Sequence, residues 1–183
     1  MNSSGRNLTI TAMITAVICI IGPVTVPIGP VPLSLVSLGI YLAVILLGKK
    51  RAIVSVLLYL FIGFSGIPVF SGFSSGPGKL LGPTGGYLAG YLFLVWIAGS
   101  CMEAEKKKVK RKGRMFISLL LGTVVMYIPG AVWMAVQTGL EIKTAIFSGV
   151  LLFIPGDLLK MHIAVLLGER LKRWLNSGFF TKF

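Results

Sequence analysis

Long uncharged runs dominate the chain, broken by short basic clusters and by stretches rich in Pro and Gly. A bilayer core about 30 Å thick needs roughly 20 apolar residues per helix. Six segments qualify as candidate spans: residues 8–22, 33–47, 52–63, 85–102, 115–136 and 144–167. The second and third are short and separated only by Gly48-Lys49-Lys50-Arg51, which predicts a tight helical hairpin. The third is the shortest, so it must tilt, thin the bilayer or continue into the loop that follows. The pattern therefore predicts an all-α membrane protein, a six-helix transmembrane bundle forming a single domain over residues 1–183. The first run starts behind a polar stub and lacks a small-residue cleavage site, so it is expected to stay as structure.

Composition agrees with that pattern. Apolar residues make up 55% of the chain and charged residues 13%, against about 25% charged in an ordinary soluble domain. A net charge of +13 would suit a nucleic-acid binder if it were spread over a polar surface. Here it is confined to loops. With the N-terminus in the cytoplasm, 15 of the 18 Lys and Arg fall on the inner side: Arg6, the Lys49–Arg51 triplet, seven between Lys106 and Arg114, and Arg170, Lys172, Arg173 and Lys182. Lys79 and Lys143 fall outside, and Lys160 lies within the last span. This asymmetry fits the positive-inside rule and places both termini in the cytoplasm. The basic loops need no nucleic acid to explain them. They fix topology and can touch anionic lipid.

The loops on the other side differ in kind. Residues 22–32 contain four prolines, each removing an amide donor and restricting its predecessor, so no continuous helix fits. Seven glycines lie between Gly66 and Gly86. Ile67, Val69, Phe70, Phe73, Leu80 and Leu81 in the same stretch want burial. Non-helical backbone at membrane depth survives only when packed in protein or lining a cavity. Two structured outer loops are therefore expected to cover one mouth of the bundle, either around a ligand or as tight re-entrant packing.

The last span carries Ile154-Pro-Gly-Asp-Leu-Leu-Lys160, with Met161 and His162 beyond. Asp157 and Lys160 fall near mid-bilayer, where ionisable groups are costly and face the bundle interior. At i, i+3 they share a helix face and can neutralise each other. Pro155-Gly156 should break or kink the helix just before them, the pattern of the interrupted helices that build transporter sites. The pair is either a structural brace or a polar binding site. In the latter, Asp157 would accept ligand N–H groups and Lys160 attract a carboxylate. On the first span Ala12 and Ala16 leave a strip where another membrane helix can approach closely. Gly86 and Gly90 have the same spacing, for packing within the chain.

Reaction chemistry is sparse. Gly76-Pro-Gly-Lys79 is not a phosphate-binding loop, because Leu80 replaces the required Ser or Thr. Gly72-Phe-Ser-Ser-Gly76 lacks the strand–turn–helix setting of a nucleophile elbow. Cys19 and Cys101 do not have the spacing of a disulfide framework or zinc site. No metal, cofactor or catalytic residue is expected. One enzyme alternative has residues to name: Gly63-Phe-Ser-Gly66 and His162 resemble the Ser/His pair of rhomboid intramembrane proteases, with Ser65 as nucleophile.

Three longer runs are more specific. Gly66-Ile-Pro-Val-Phe70, Leu81-Gly-Pro-Thr-Gly-Gly-Tyr87 and Ile154-Pro-Gly-Asp-Leu-Leu-Lys160, in this order and at this spacing, resemble BioY, the biotin-binding S-component of energy-coupling-factor (ECF) transporters. The resemblance extends over nearly the whole chain. It implies high-affinity capture of biotin from outside a prokaryotic plasma membrane. It also implies an energising module of one transmembrane coupling protein and two cytoplasmic ATPases, docked on the Ala12/Ala16 strip. By position, Asp157 and Lys160 would be the main polar site residues. Thr84, Gly85, Gly86 and Tyr87 would line the pocket, and Gln137 is a lesser candidate. Ser74 stands where some relatives carry an Asn for the ureido ring. Either Lys160 or Lys79 would meet the biotin carboxylate. S-components for other vitamins, thiamin, riboflavin or folate, are the nearest alternatives within this reading.

Overall fold

A computed structural model describes residues 3–26, 32–104 and 111–176. Residues 1–2, residues 27–31 of the first Pro-rich loop, residues 105–110 with four of the seven cations of the second basic cluster, and residues 177–183 with Lys182 lie outside the described residues.

All six apolar segments are helical, with shifted ends. Helix α1 is Ser3–Ile21, α2 is Val36–Leu47 and α3 is Lys49–Phe64. Only Gly48 separates α2 from α3, so Lys49, Lys50 and Arg51 form the first turn of α3 rather than a linker. Gly48 makes this possible with φ of +73°, a region open to a residue without Cβ. Helix α4, Pro77–Leu81, is a single turn inside the long Gly-rich loop. Helix α5 is Gly85–Ala104 and α6 is Arg111–Thr138, so the described part of the second basic cluster is helical.

The last segment is not one regular helix. Helix α7, Ile142–Ile146, runs into a π-helical stretch, Phe147–Leu151, and two turn residues before α8 begins at Ile154–Asn176. Pro155 falls in the first turn of α8, where its missing N–H costs nothing. The break expected at Pro155-Gly156 is therefore present and lies just before it.

Among the described residues, three stretches are long and apolar enough to cross a bilayer: Gly85–Ala104, Lys112–Thr138 and Ile142–Arg173. Gly5–Ile21 and Val36–Leu47 are shorter apolar helices. At 1.5 Å per residue, the 12 residues of α2 rise about 18 Å, less than a full hydrocarbon core. Helices α5 and α6 form the most extensive pair. Gly86 lies against Trp133 and the Pro129 carbonyl, and Gly90 against Met126, so these glycines do serve packing within the chain. Helix α2 sits between α1 and α8, where Gly39 meets Ile18 and Gly168 meets Ile45. Hydroxyls link helices inside the bundle: Thr15 with Ser55 at 2.8 Å, and Tyr41 with Thr123 at 2.9 Å.

The described parts of the Pro-rich and Gly-rich loops are structured and pack on each other. A short antiparallel ladder pairs β1, Thr25–Val26, with β2, Leu33–Ser34. The Gly72 amide donates to the Pro23 carbonyl at 3.1 Å, tying the second loop to the first. Val69 and Phe70 are buried, and Phe70 meets Tyr59 edge-on at 5.5 Å. The expectation of burial fails for Ile67, Phe73 and Leu81, which are exposed. Only one side of this loop meets the bundle, and Phe73 takes a left-handed φ of +55° beside Gly72 at +72°. The chain thus turns sharply at its tip and leaves that ring outside.

Candidate functional site

The end of the first loop that enters α2 and the break before α8 meet at one place. Asp157 lies in the first turn of α8, where the helix dipole favours an anion. Lys160 stands one turn further on. Both are almost fully enclosed, at 5% and 6% exposure. Their charges meet directly, Lys160 Nζ to Asp157 Oδ1 at 2.9 Å.

The pair is embedded in a hydrogen-bond network. Ser37 Oγ of α2 donates to Asp157 Oδ1 at 3.0 Å. Tyr127 of α6 donates its hydroxyl to Asp157 Oδ2 at 2.6 Å. Lys160 Nζ also donates to the Ser34 carbonyl at 2.8 Å and to Ser37 Oγ at 3.1 Å. The three ammonium donors are all engaged within the chain. The carboxylate accepts three bonds of about four it can take, which leaves a place on the Oδ2 side for an incoming N–H. Charge-assisted bonds of this kind are short and strong, so they fix both heads before any ligand arrives.

A cavity of about 50 Å³ adjoins the pair, lined by Pro32, Ser34, Ser37, Tyr87, Tyr91, Tyr127 and Phe153. It holds a few waters at most. A larger apolar void of about 390 Å³ lies on the other side of Tyr127 and Asp157, between α6 and the α7–α8 segment. Asp157 and Tyr127 belong to the walls of both.

Of the residues singled out from sequence, Asp157, Lys160 and Tyr87 come together around the small cavity. Tyr87 is held by its hydroxyl, which donates to the Gly149 carbonyl of the π-helical stretch at 2.8 Å. Gly85 and Gly86 begin α5 beside Trp133 and do not line that cavity. Thr84 precedes them, buried, its Oγ1 without a hydrogen-bond partner. Ser74 donates to the Ser71 carbonyl at 2.8 Å within the second loop. Lys79 lies in α4, where partial burial lowers its amine pKa below the usual value. Gln137 is exposed near the end of α6. Ala12 and Ala16 share the exposed face of α1, opposite the inward Thr11, Thr15 and Ile18. Ser65 bonds its own helix through the Phe61 carbonyl, and His162 is exposed, so neither joins the buried network. Among the described residues no cluster of three or more metal-ligating side chains occurs.

Sequence reasoning missed Ser37, Tyr127 and Tyr91. Ser37 and Tyr127 are separated from Asp157 by 120 and 30 residues, so no local motif contains them. The available signal was weak: each is a polar group within an apolar span.

The fold and this network define a multi-pass helical membrane protein with a buried acid–amine site at one end of its bundle. Residues 1–177 match the model of the BioY family. The chain belongs to that family, a family of transporters. It is 35% identical over 187 residues to the biotin transporter BioY of Lactococcus lactis subsp. cremoris MG1363, covering all of this chain and 97% of the relative. It is 36% identical over 167 residues to a probable biotin transporter BioY of Pyrococcus horikoshii, covering 91% and 96% of the two chains. Its fold is similar to the crystal structure of the S-component for biotin from an ECF-type ABC transporter, with a TM-score of 0.87 at 34% identity. That match covers 94% of this chain and 93% of the other.

Proposed function

We propose that the chain is the biotin-binding membrane subunit of an uptake system in a prokaryotic plasma membrane. It acts as one unit of six spans with both termini cytoplasmic and binds its ligand beneath the two outer loops. The observation that carries this reading is the Asp157 network: a buried carboxylate, fixed by three donors, with acceptor capacity left over. A ureido group offers two N–H donors, and one to Asp157 Oδ2 is the charge-assisted bond that capacity allows. Phe153, Tyr87 and Tyr91 supply apolar surface for the rest of the bicycle.

The small cavity does not house biotin as it stands, so binding requires its aromatic walls to move. Lys160 has its donors engaged, so its first role is to hold Asp157 in place. It reaches a ligand carboxylate only by giving up Ser34 or Ser37. Lys79 and the unpartnered Thr84 hydroxyl at the start of α5 are the remaining candidates, since a helix N-terminus favours an anion. Ser74, Gly85, Gly86 and Gln137 remain as further pocket candidates on the family pattern. Energy would come from a coupling protein, docked on the exposed Ala12/Ala16 face of α1, and two cytoplasmic ATPases.

A ligand panel tests this. Purified chain should bind biotin and desthiobiotin, which keeps the ureido ring, and should reject thiamin and riboflavin by isothermal calorimetry. Equal affinity for thiamin would remove the biotin assignment. Biotinamide, which lacks the negative charge, assigns the cation: the residue whose loss weakens biotin but not biotinamide is the one that meets the carboxylate.

A further inference from the structure

The far end of the same helices holds a second polar cavity that the ligand site does not use. It occupies about 280 Å³ and is lined by Ile45, Gly48, Gly99, Glu103, Arg114 and Lys172, among others. Ser37 to Gly48 is 11 residues along α2 and its following cap, and Lys160 to Lys172 is 12 along α8. At 1.5 Å per residue, this cavity is some 16–18 Å from the Asp157 pair, at the end that carries the basic clusters.

Its wall is built rather than incidental. Lys172 Nζ is anchored on the Ile45 carbonyl at 3.2 Å, at the end of α2. Gly99 brings α5 against the Lys49 stem, and the Lys49 ammonium lies 5.0 Å over the Trp96 ring. Gly48 lines the cavity and directly precedes the first turn of α3, whose dipole favours an anion. Further cations border α8 close by: Lys112 and Arg173 approach Glu169 at 3.3 and 3.5 Å. Glu103 is the single carboxylate among the lining residues. A guanidinium and an ammonium lining one cavity match a phosphate ester in charge, and basic pockets between membrane helices take anionic head groups.

We propose that this cavity binds a phosphate group, through Arg114 and Lys172, at the end of the bundle opposite the Asp157 pair. The phosphate belongs to an anionic lipid head group or to a free phosphate ester, and one experiment separates the two. Full-length protein is placed in nanodiscs of phosphatidylcholine alone or mixed with phosphatidylglycerol, and lipid retained after extraction is read by native mass spectrometry. Inorganic phosphate is titrated in parallel and followed by phosphorus NMR.

Wild type should retain phosphatidylglycerol selectively if the source is lipid, or broaden the inorganic phosphate resonance if the source is soluble. Arg114→Gln with Lys172→Gln should lower that signal at least tenfold, while Lys143→Gln, loss of a single charge outside the cavity, leaves it unchanged. Should the double variant fail to fold, exposed Glu103→Gln decides, because removing the anion should raise retention or phosphate affinity about threefold. No selectivity and no broadening in wild type, an undiminished signal in a folded double variant, or no gain in Glu103→Gln would each overturn the proposal.

Discussion

Asp157 and Lys160 stood out in the sequence because a charge inside an apolar run is expensive, and expense leaves few explanations. Their partners did not stand out. A serine or tyrosine crosses a membrane at small cost, so nothing marked Ser37 or Tyr127 before the fold brought them to the carboxylate. The network makes a stability prediction. Asp157→Asn leaves a buried ammonium without its counter-charge and should cost about 3–5 kcal/mol. Adding Lys160→Met should recover part of that loss. Thermal unfolding of both variants in detergent checks this, and a double variant melting below Asp157→Asn would contradict it. Lys79 makes a second. Burial disfavours its charged form, so its pKa lies below the ordinary 10.5. In that window the folded chain binds fewer protons than the unfolded one, so Lys79 costs stability at neutral pH and the cost fades as pH rises toward 10.5. The melting-temperature advantage of Lys79→Met should therefore shrink with rising pH, and a gap that stays constant would contradict the shift.

At the scale of elements, runs of apolar residues marked every long helix, because each must bury its backbone bonds internally. Helix ends were less legible. Lys49–Arg51 read as a linker because charge suggests a loop, yet one left-handed glycine was enough to turn the chain. The second loop has no periodicity to separate its buried Val69 and Phe70 from exposed Ile67, Phe73 and Leu81. The α5–α6 seam tests the packing account. A Cβ on Gly86 would strike the Pro129 carbonyl and the root of Trp133, neither of which can swing away. Gly86→Ala should destabilise by about 1–3 kcal/mol. Gly113, in the first turns of α6 with nothing within 4 Å, should gain about 0.5–1 kcal/mol as Ala from helix propensity. Melting temperatures moving in the same direction would refute the contrast.

For the molecule as a whole, the segregation of basic residues predicts a direction for the bundle across the membrane. The acid–amine site and the described parts of both loops lie at one end, and the cavity lined by Arg114 and Lys172 at the other. The α1 face bearing Ala12 and Ala16 is left open between them. Ala12→Leu with Ala16→Leu should abolish co-purification with the coupling module while biotin affinity stays within about twofold. Loss of both together would mean that the bundle itself had been damaged. The whole account turns on whether the buried carboxylate receives the ligand. Calorimetric titration of biotin into folded Asp157→Asn, beside wild type, measures that directly. At least a hundredfold loss of affinity is expected, since Asn keeps the shape and removes the charge that strengthens the ureido bond. Wild-type affinity in that variant would contradict the site.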